Sequence, residues 1–452
     1  MKAKPNSFNF PTFSITDWSK LNATEKAKLL LRPEPVPALE RDAIISEIFS
    51  DISNYGDKEL IRLTEKYDRV TLEDLRVSEN ELKEAYQSIG KTALAAIKQA
   101  IEQVERFHRL GIPKNYELET MPGVHCYKVF RPIPKVGLYV PGGKTPLPSS
   151  VWMQAVPASI AGCEQKIVCT PPGSNGKLDP HVLVAADLCK VKDIFKLGGA
   201  QAIAAMALGT KSIPQVDKIF GPGNAWVTAA KMKVNQGNSG VLCDLPAGPS
   251  EVLVIADANA DPEFVAWDLL SQAEHGFDSQ IILISDKQEL LSAVHTIIKK
   301  ISPDSKRAEV LANSLNYFRS ILVADFNTAM DISNRYAPEH LILNVENTSE
   351  LKQLVKNAGS VFLGPWTPES VGDYASGTNH VLPTSGFARS CGGLGVESFM
   401  KPISFQEISS AGISKLGPIV EELANIEGLE AHKKAVSIRL SKKGLTNAAN
   451  KQ

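Results

Sequence analysis

Three observations predict an α/β protein. Short β-branched runs alternate with helical-period segments from Val136 to Leu363, three of those runs end in glycine turns, and the first quarter of the chain shows helical spacing alone. Together they describe two incomplete Rossmann-like parallel-sheet domains with helical N-terminal and C-terminal extensions.

Along the chain, Ile44, Ile45, Ile48 and Ile52 form one helical stripe within Ala38 to about Tyr67. Leu94, Ile97, Ile101 and Val104 form another within Ser78 to about Leu110. After Met121-Pro122-Gly123 come VGLYV, a helical SSVWMQAVPASIAG, QKIVCT, a helix ending near Cys189, DIFKLGG and a further helix. The alternation resumes after DLPAGPSE with EVLVIAD, QIILIS, SILVAD, LILNV and GSVFL, with helical segments between the first four. A strand, helix, strand repetition of this kind predicts parallel sheets. Beyond about Gly395 the pattern returns to helix, most clearly in EELANIEGLEAHKKAVSIRL. The expected divisions are an N-terminal extension over 1–35, one α/β domain from 36–138 with 252–394, a second over 139–251, and a tail over 395–452 too small to fold alone.

Composition excludes several classes. In 452 residues, 49 Lys plus Arg nearly cancel 50 Asp plus Glu, so no basic face is implied for nucleic acid or anionic lipid. No apolar run approaches the roughly 18 residues of a membrane span, and the acid-poor start lacks the arginines of a transit peptide. The six cysteines (126, 163, 169, 189, 243 and 391) form no CxxC pair and are too sparse for a disulfide framework. A cytoplasmic location follows, with the cysteines as small core residues.

No strand runs into GxGxxG. Instead three strand ends meet glycine and then a helix: Tyr139-Val-Pro-Gly142-Gly143, Leu197-Gly198-Gly199-Ala-Gln201 and Phe220-Gly221-Pro-Gly223-Asn224. In one parallel sheet all three face the same edge, where glycine lets a phosphate approach backbone N–H groups at helix starts. Each turn taken alone also reads as an ordinary tight turn or cap.

Four other segments carry ligand or proton-transfer chemistry. Asp261-Pro262 opens a helix that stops at Gly276, and Gln272 and His275 share a face of its last turn. Pro338 halts a helix, which puts Glu339 and His340 on a short connection before the strand Leu341 to Val345, an acid and a base poised for proton transfer. Gly372 to His380 reads as a loop bearing Asp373 and His380. Glu427 and His432 stand five apart on the tail helix, a spacing that shares one face only if the helix turns irregular between them. Imidazole and carboxylate without thiolate suit Zn²⁺, Mn²⁺ or Fe²⁺, and Zn²⁺ where the metal undergoes no redox change.

The blocks VGLYVPGG, GGAQAIAA, FGPGNAWVTAAK, LPAGPSEVLVIAD, QAEHG, APEHL and GDYASGTNHVLPT, in this order, resemble histidinol dehydrogenases from about residue 35 to residue 440. The resemblance implies oxidation of L-histidinol to L-histidine through a retained histidinal, the last steps of histidine biosynthesis, with two NAD⁺ and one Zn²⁺ per site. It implies Gln272, His275, Asp373 and His432 as zinc and substrate ligands, His340 as the base of the first oxidation and a substrate contact, and Glu339 as the activator of water. Ser250, His380 and Glu427 would contact substrate, and Tyr139, Gln201 and Asn224 would contact NAD. It further implies a homodimer whose sites are completed by the neighbouring subunit's tail, with zinc and catalysis on the domain of 36–138 and 252–394 and NAD on 139–251. Two other readings remain: a dehydrogenase of another small alcohol on the same scaffold, against which Glu427 and His432 argue, and a zinc hydrolase in which Glu339 activates water. Trp152, Trp226 and the PWTPES stretch receive no role.

Overall fold

The structure, a computed structural model, describes residues 8–33, 38–142, 145–237, 239–244 and 248–449, with the side chains of 38–39 and 443–449 left out of the description. Gly143 of the first glycine turn and residues 245–247 of the DLPAGPSE loop lie outside the described residues. The chain divides into two compact units, Met1–Gly111 with Ile133–Ser398, and Ile112–Pro132 with Phe399–Gln452.

Both parallel sheets belong to the first unit. The larger has six strands in the order Ile15–Asp17, Arg319–Leu322, Gln280–Ser285, Glu251–Ala256, His340–Asn344 and Ser360–Leu363, every pair parallel. Three of its four inner strands, Gln280–Ser285, Glu251–Ala256 and His340–Asn344, are buried at every residue, which is why they read as continuous apolar runs. Alternate residues feed opposite faces. Val252, Val254, Ile281 and Leu283 pack with Leu269, Leu270, Leu291 and Val294 on one side, while Leu253, Ile255, Ile282 and Ile284 pack with Met330, Ile332 and Tyr336 on the other. The helix Pro262–Ala273 starts as expected, with the Asp261 side chain accepting from the Glu263 N–H and Pro262 in the first turn.

The smaller sheet has five parallel strands in the order Asp193–Lys196, Gln165–Thr170, Lys135–Tyr139, Lys218–Phe220 and Leu242–Cys243. Its helices Ser149–Ala161 and Gly199–Leu208 are buried over nearly their whole length. Trp152 and Trp226 find structural places here, Trp152 buried and Trp226 packed against the core.

After the short helix Ala23–Leu29, the helices Ala38–Tyr55, Asp57–Asp68, Glu79–Ser88 and Lys91–Arg109 resolve the two helical stretches read from spacing, the first broken at Gly56 with φ 58°.

The second unit departs from expectation. Tyr116–Met121, Val124–Pro132 and Met400–Ile408 form a three-stranded antiparallel sheet, so the segment after Gly395 is not purely helical. The expected single tail helix is two, Ser410–Ile426 and Glu430–Ala449, separated at Gly428 with φ 71°. No described helix is long and apolar enough to cross a membrane, and no disulfide joins the described cysteines.

Candidate active site

The site forms at the amino ends of two neighbouring strands of the larger sheet, Glu251–Ala256 and His340–Asn344, which pair His340 with Val252. His340 is thus the first residue of its strand, with Glu339 just ahead of it and not both on a connection. The helix Phe326–Tyr336 ends at Ala337 in the left-handed region (φ 56°), and Pro338 turns the chain into the strand. One residue, Glu251, holds both side chains through its backbone. Its N–H donates to Oε2 of Glu339 (2.9 Å), and its carbonyl oxygen lies 3.1 Å from Nδ1 of His340. A carbonyl only accepts, so Nδ1 carries the hydrogen and Nε2 is left for chemistry. That Nε2 is buried without a hydrogen-bond partner and stands 3.6 Å from Oδ1 of Asp373.

Asp373 does not lie on a loop. It falls in the last turn of the short helix Glu369–Tyr374, and its backbone carbonyl lies 2.8 Å from Nδ1 of His380, whose Nε2 is 3.4 Å from the Ser150 hydroxyl. His340, Glu369 and Asp373 each offer a ligand atom, all within 4.8 Å of one another. Gln272, fully buried in the helix Pro262–Ala273, faces Glu369 with its carboxamide; with the amide nitrogen assigned to that side it donates to both carboxyl oxygens (3.0 Å to Oε2) and its side-chain oxygen is left over. His275 lies two residues past the helix end, with its backbone N–H donating to the Gln272 backbone carbonyl (3.2 Å). The tight turn keeps the pair together although only Gln272 is helical.

The electrostatics are those of a buried acidic pocket. Burial raises the Glu339 carboxyl to about 8 and the Asp268 carboxyl, one helical turn before Gln272, to about 7. Burial also raises Glu369 well above the usual carboxylate range. Burial would raise Asp373 as well, but the imidazoles of His340, His380 and His275 outweigh it and hold that carboxyl low. For His340 burial disfavours the charged form, yet the carboxylates of Glu369, Glu339 and Asp373 prevail and raise it well above an ordinary imidazole. His275, exposed at its own surface but crowded by these groups, and His380 are both lowered, chiefly by desolvation. These carboxylates favour the imidazolium form of His340, and a cation bound among them would offset that field and free Nε2 to accept a proton.

At the carboxyl edge of the smaller sheet the three glycine turns meet. The Gly199 N–H donates to the Tyr139 hydroxyl (3.0 Å). Gly221 has φ 122°, and a Cβ there would overlap the Tyr139 carbonyl oxygen, so glycine is required. Its N–H donates to Asp244 Oδ2 (2.8 Å) and its carbonyl accepts from Lys231 Nζ (2.9 Å), while Lys231 and Asp244 pair with each other. Gln201 is buried, and Asn224 caps the helix Ala225–Gln236 through its side-chain oxygen.

Residues 36–440 match the histidinol dehydrogenase family. A histidinol dehydrogenase of Xanthomonas campestris pv. campestris is 49% identical over 424 residues, covering 94% of this chain and 98% of the relative. One from Legionella pneumophila is 48% identical over 432 residues, covering 95% and 99%. The crystal structure of histidinol dehydrogenase from Elizabethkingia anophelis superposes with a TM-score of 0.89 at 44% identity, covering 94% of this chain and 97% of that one. The chain belongs to the histidinol dehydrogenase family. It is therefore an oxidoreductase.

Within that family frame, the first unit brings Gln272, His275, Glu339, His340, Asp373 and His380 into one cluster, with half-buried Ser250 directly before Glu251. Glu427 and His432 belong to the second unit and are exposed, Glu427 capping the end of Ser410–Ile426 and His432 in the first turn of Glu430–Ala449. Sequence reasoning missed Glu369, Asp268 and Glu251. Glu369 sits in the PWTPES stretch, four residues before Asp373, and Asp268 stands four before Gln272; i, i+4 carboxyls beside a suspected ligand are a legible signal.

Proposed function

We propose that the protein oxidises L-histidinol to L-histidine in two hydride transfers to NAD⁺ at a zinc-containing site, with histidinal held between them. The observation that carries this reading is the pair Glu339 and His340, fixed by the two poles of one residue's backbone and facing Asp373.

The donor set fits a divalent metal: the His275 imidazole, whose charged form desolvation disfavours, the Asp373 carboxylate held low, and the Gln272 carboxamide. Gln272, His275 and Asp373, with His432, would hold zinc, which when bound supplies orientation of the substrate's nitrogen atoms. NAD⁺ supplies the hydride acceptor, and Tyr139, Gln201 and Asn224 would contact it at the glycine edge.

His340 Nε2 takes the hydroxyl proton as the first hydride leaves the carbinol carbon. Glu339 then takes a proton from water, whose oxygen adds to the aldehyde carbon, and the second hydride leaves to give the carboxylate. Ser250, His380 and Glu427 would contact the substrate.

A homodimer with shared sites is supported by the second unit, where Leu423, Ile426, Leu429 and Ile438 are exposed beside Glu427 and His432. The absence of disulfides among the described cysteines accords with a cytoplasmic location. The test is NADH yield on the zinc-loaded enzyme. Two NADH per histidinol support the proposal; one would place the end point at histidinal, and none would favour hydrolysis.

A further inference from the structure

Glu251 holds the catalytic pair, but Glu251 is itself held. Its carboxylate receives Arg32 in a two-point contact, Nε to Oε1 at 2.5 Å and Nη2 to Oε2 at 2.9 Å. Oε1 also accepts from the Ser385 N–H (2.9 Å). Arg32 lies ahead of the family match at 36–440, just past the helix Ala23–Leu29. The same Nη2 donates to the Tyr336 carbonyl (2.9 Å), and the guanidinium carbon sits 3.9 Å from the centre of the Tyr336 ring. Tyr336 is the last residue of the helix from which Pro338, Glu339 and His340 emerge. Tyr336 is fixed in turn, its hydroxyl donating to Gln280 Oε1 (2.8 Å).

One guanidinium therefore spans both segments that carry the chemistry: the strand start whose peptide groups fix Glu339 and His340, and the helix end that delivers them. The pair is shielded, with side-chain exposure of 22% for Arg32 and 2% for Glu251. A planar five-donor fork can serve a carboxylate and a carbonyl while stacking on a ring; an ammonium cannot do all three.

We propose that Arg32 is a positioning residue for the oxidation, setting the placement of Glu339 and His340 through Glu251 and the Tyr336 carbonyl. This rests on the roles assigned to Glu339 and His340 above. A dyad displaced by a fraction of an ångström still binds substrate and cofactor but transfers protons poorly, so the effect belongs in kcat.

The experiment compares Arg32→Met and Arg32→Lys in the full-length, zinc-loaded enzyme, with kcat and KM per folded site for histidinol, histidinal and NAD⁺, bound zinc, and added guanidinium ion. Arg32→Met should lower kcat about tenfold or more with both substrates, as small misplacements of reacting groups do, at unchanged NAD⁺ KM and zinc content. Guanidinium should restore part of that loss, and Arg32→Lys should fall between. If Arg32→Met does not fold, Arg32→Lys decides by the same kcat-against-KM split. Wild-type kcat per folded site in the folded variants, or a loss confined to KM or zinc content, overturns the proposal. Glu339→Gln and His340→Asn run alongside: wild-type activity in those two would instead overturn the reading of the dyad itself.

Discussion

The two units of the chain solve opposite problems. In the first, three neighbouring strands are buried at every position, and the polar groups at their amino ends are tied by backbone contacts of 2.9 and 3.1 Å. In the second, the strand Met400–Ile408 is exposed at all but its first residue, and Leu118, Leu423 and Ile426 are 66%, 56% and 70% exposed. A rigid core preorganises proton-transfer groups; a surface with that much bare apolar area is built to be covered. The difference teaches that the proposed proton-transfer groups are set by their own unit, whereas Glu427 and His432 sit on a unit whose exposed apolar surface suits the proposed association.

The largest effect expected lies in the first unit. His340→Asn should suppress the first oxidation by about 100-fold or more, the lower range for losing a positioned base. Glu339→Gln should mainly slow turnover of supplied histidinal. Single-turnover NADH formation from each substrate separates the two, and equal effects on both steps would break the division of labour. Next in size is Leu253→Ala, at a fully buried position, which should cost about 2–5 kcal/mol in denaturant unfolding and leave the oligomer intact. Leu423→Asp sharpens the contrast from the other side. On an isolated surface it would cost within about 0.5 kcal/mol, yet here it should yield monomers by sedimentation and lose activity. A stable, fully active dimer would remove the distinction between the units.

The smallest effect concerns acid stability of the first unit. His295 is buried against the rings of Phe13 and Phe318, each at 5.4 Å, and burial, aided by Lys299, lowers its pKa to about 4. The unfolded chain takes up this proton near 6.5 and the folded one only near 4, so its contribution is full above 6.5 and lost as pH falls towards 4. His295→Leu should flatten the melting temperature across that window; an unchanged slope would assign the acid lability elsewhere.

The parallel sheets were legible because strands buried on both faces leave unbroken apolar runs, as in EVLVIAD and QIILIS. The antiparallel sheet was not, since YELETM, VHCYKVFRP and MKPISFQEI mix charge into strands that are mostly exposed or half-buried. At the site, adjacency carried Glu339 and His340, and helical spacing carried Gln272 and His275. Asp373 was read in a loop because a helix of six residues, Glu369–Tyr374, offers too little periodicity to be seen. Arg32 and Glu251 were invisible, being joined across 219 positions by contacts no local pattern encodes.

Subunit complementation tests the shared site most directly. His340→Asn protein and His432→Asn protein, each expected to form almost no NADH from histidinol alone, are mixed, allowed to exchange subunits, and assayed for NADH. If His432 acts on the neighbouring subunit, half of the hybrids' sites carry both intact groups, and random exchange should restore about a quarter of wild-type activity. Exchange that is demonstrated yet restores nothing would mean that each chain builds its site alone, contradicting a site shared between subunits.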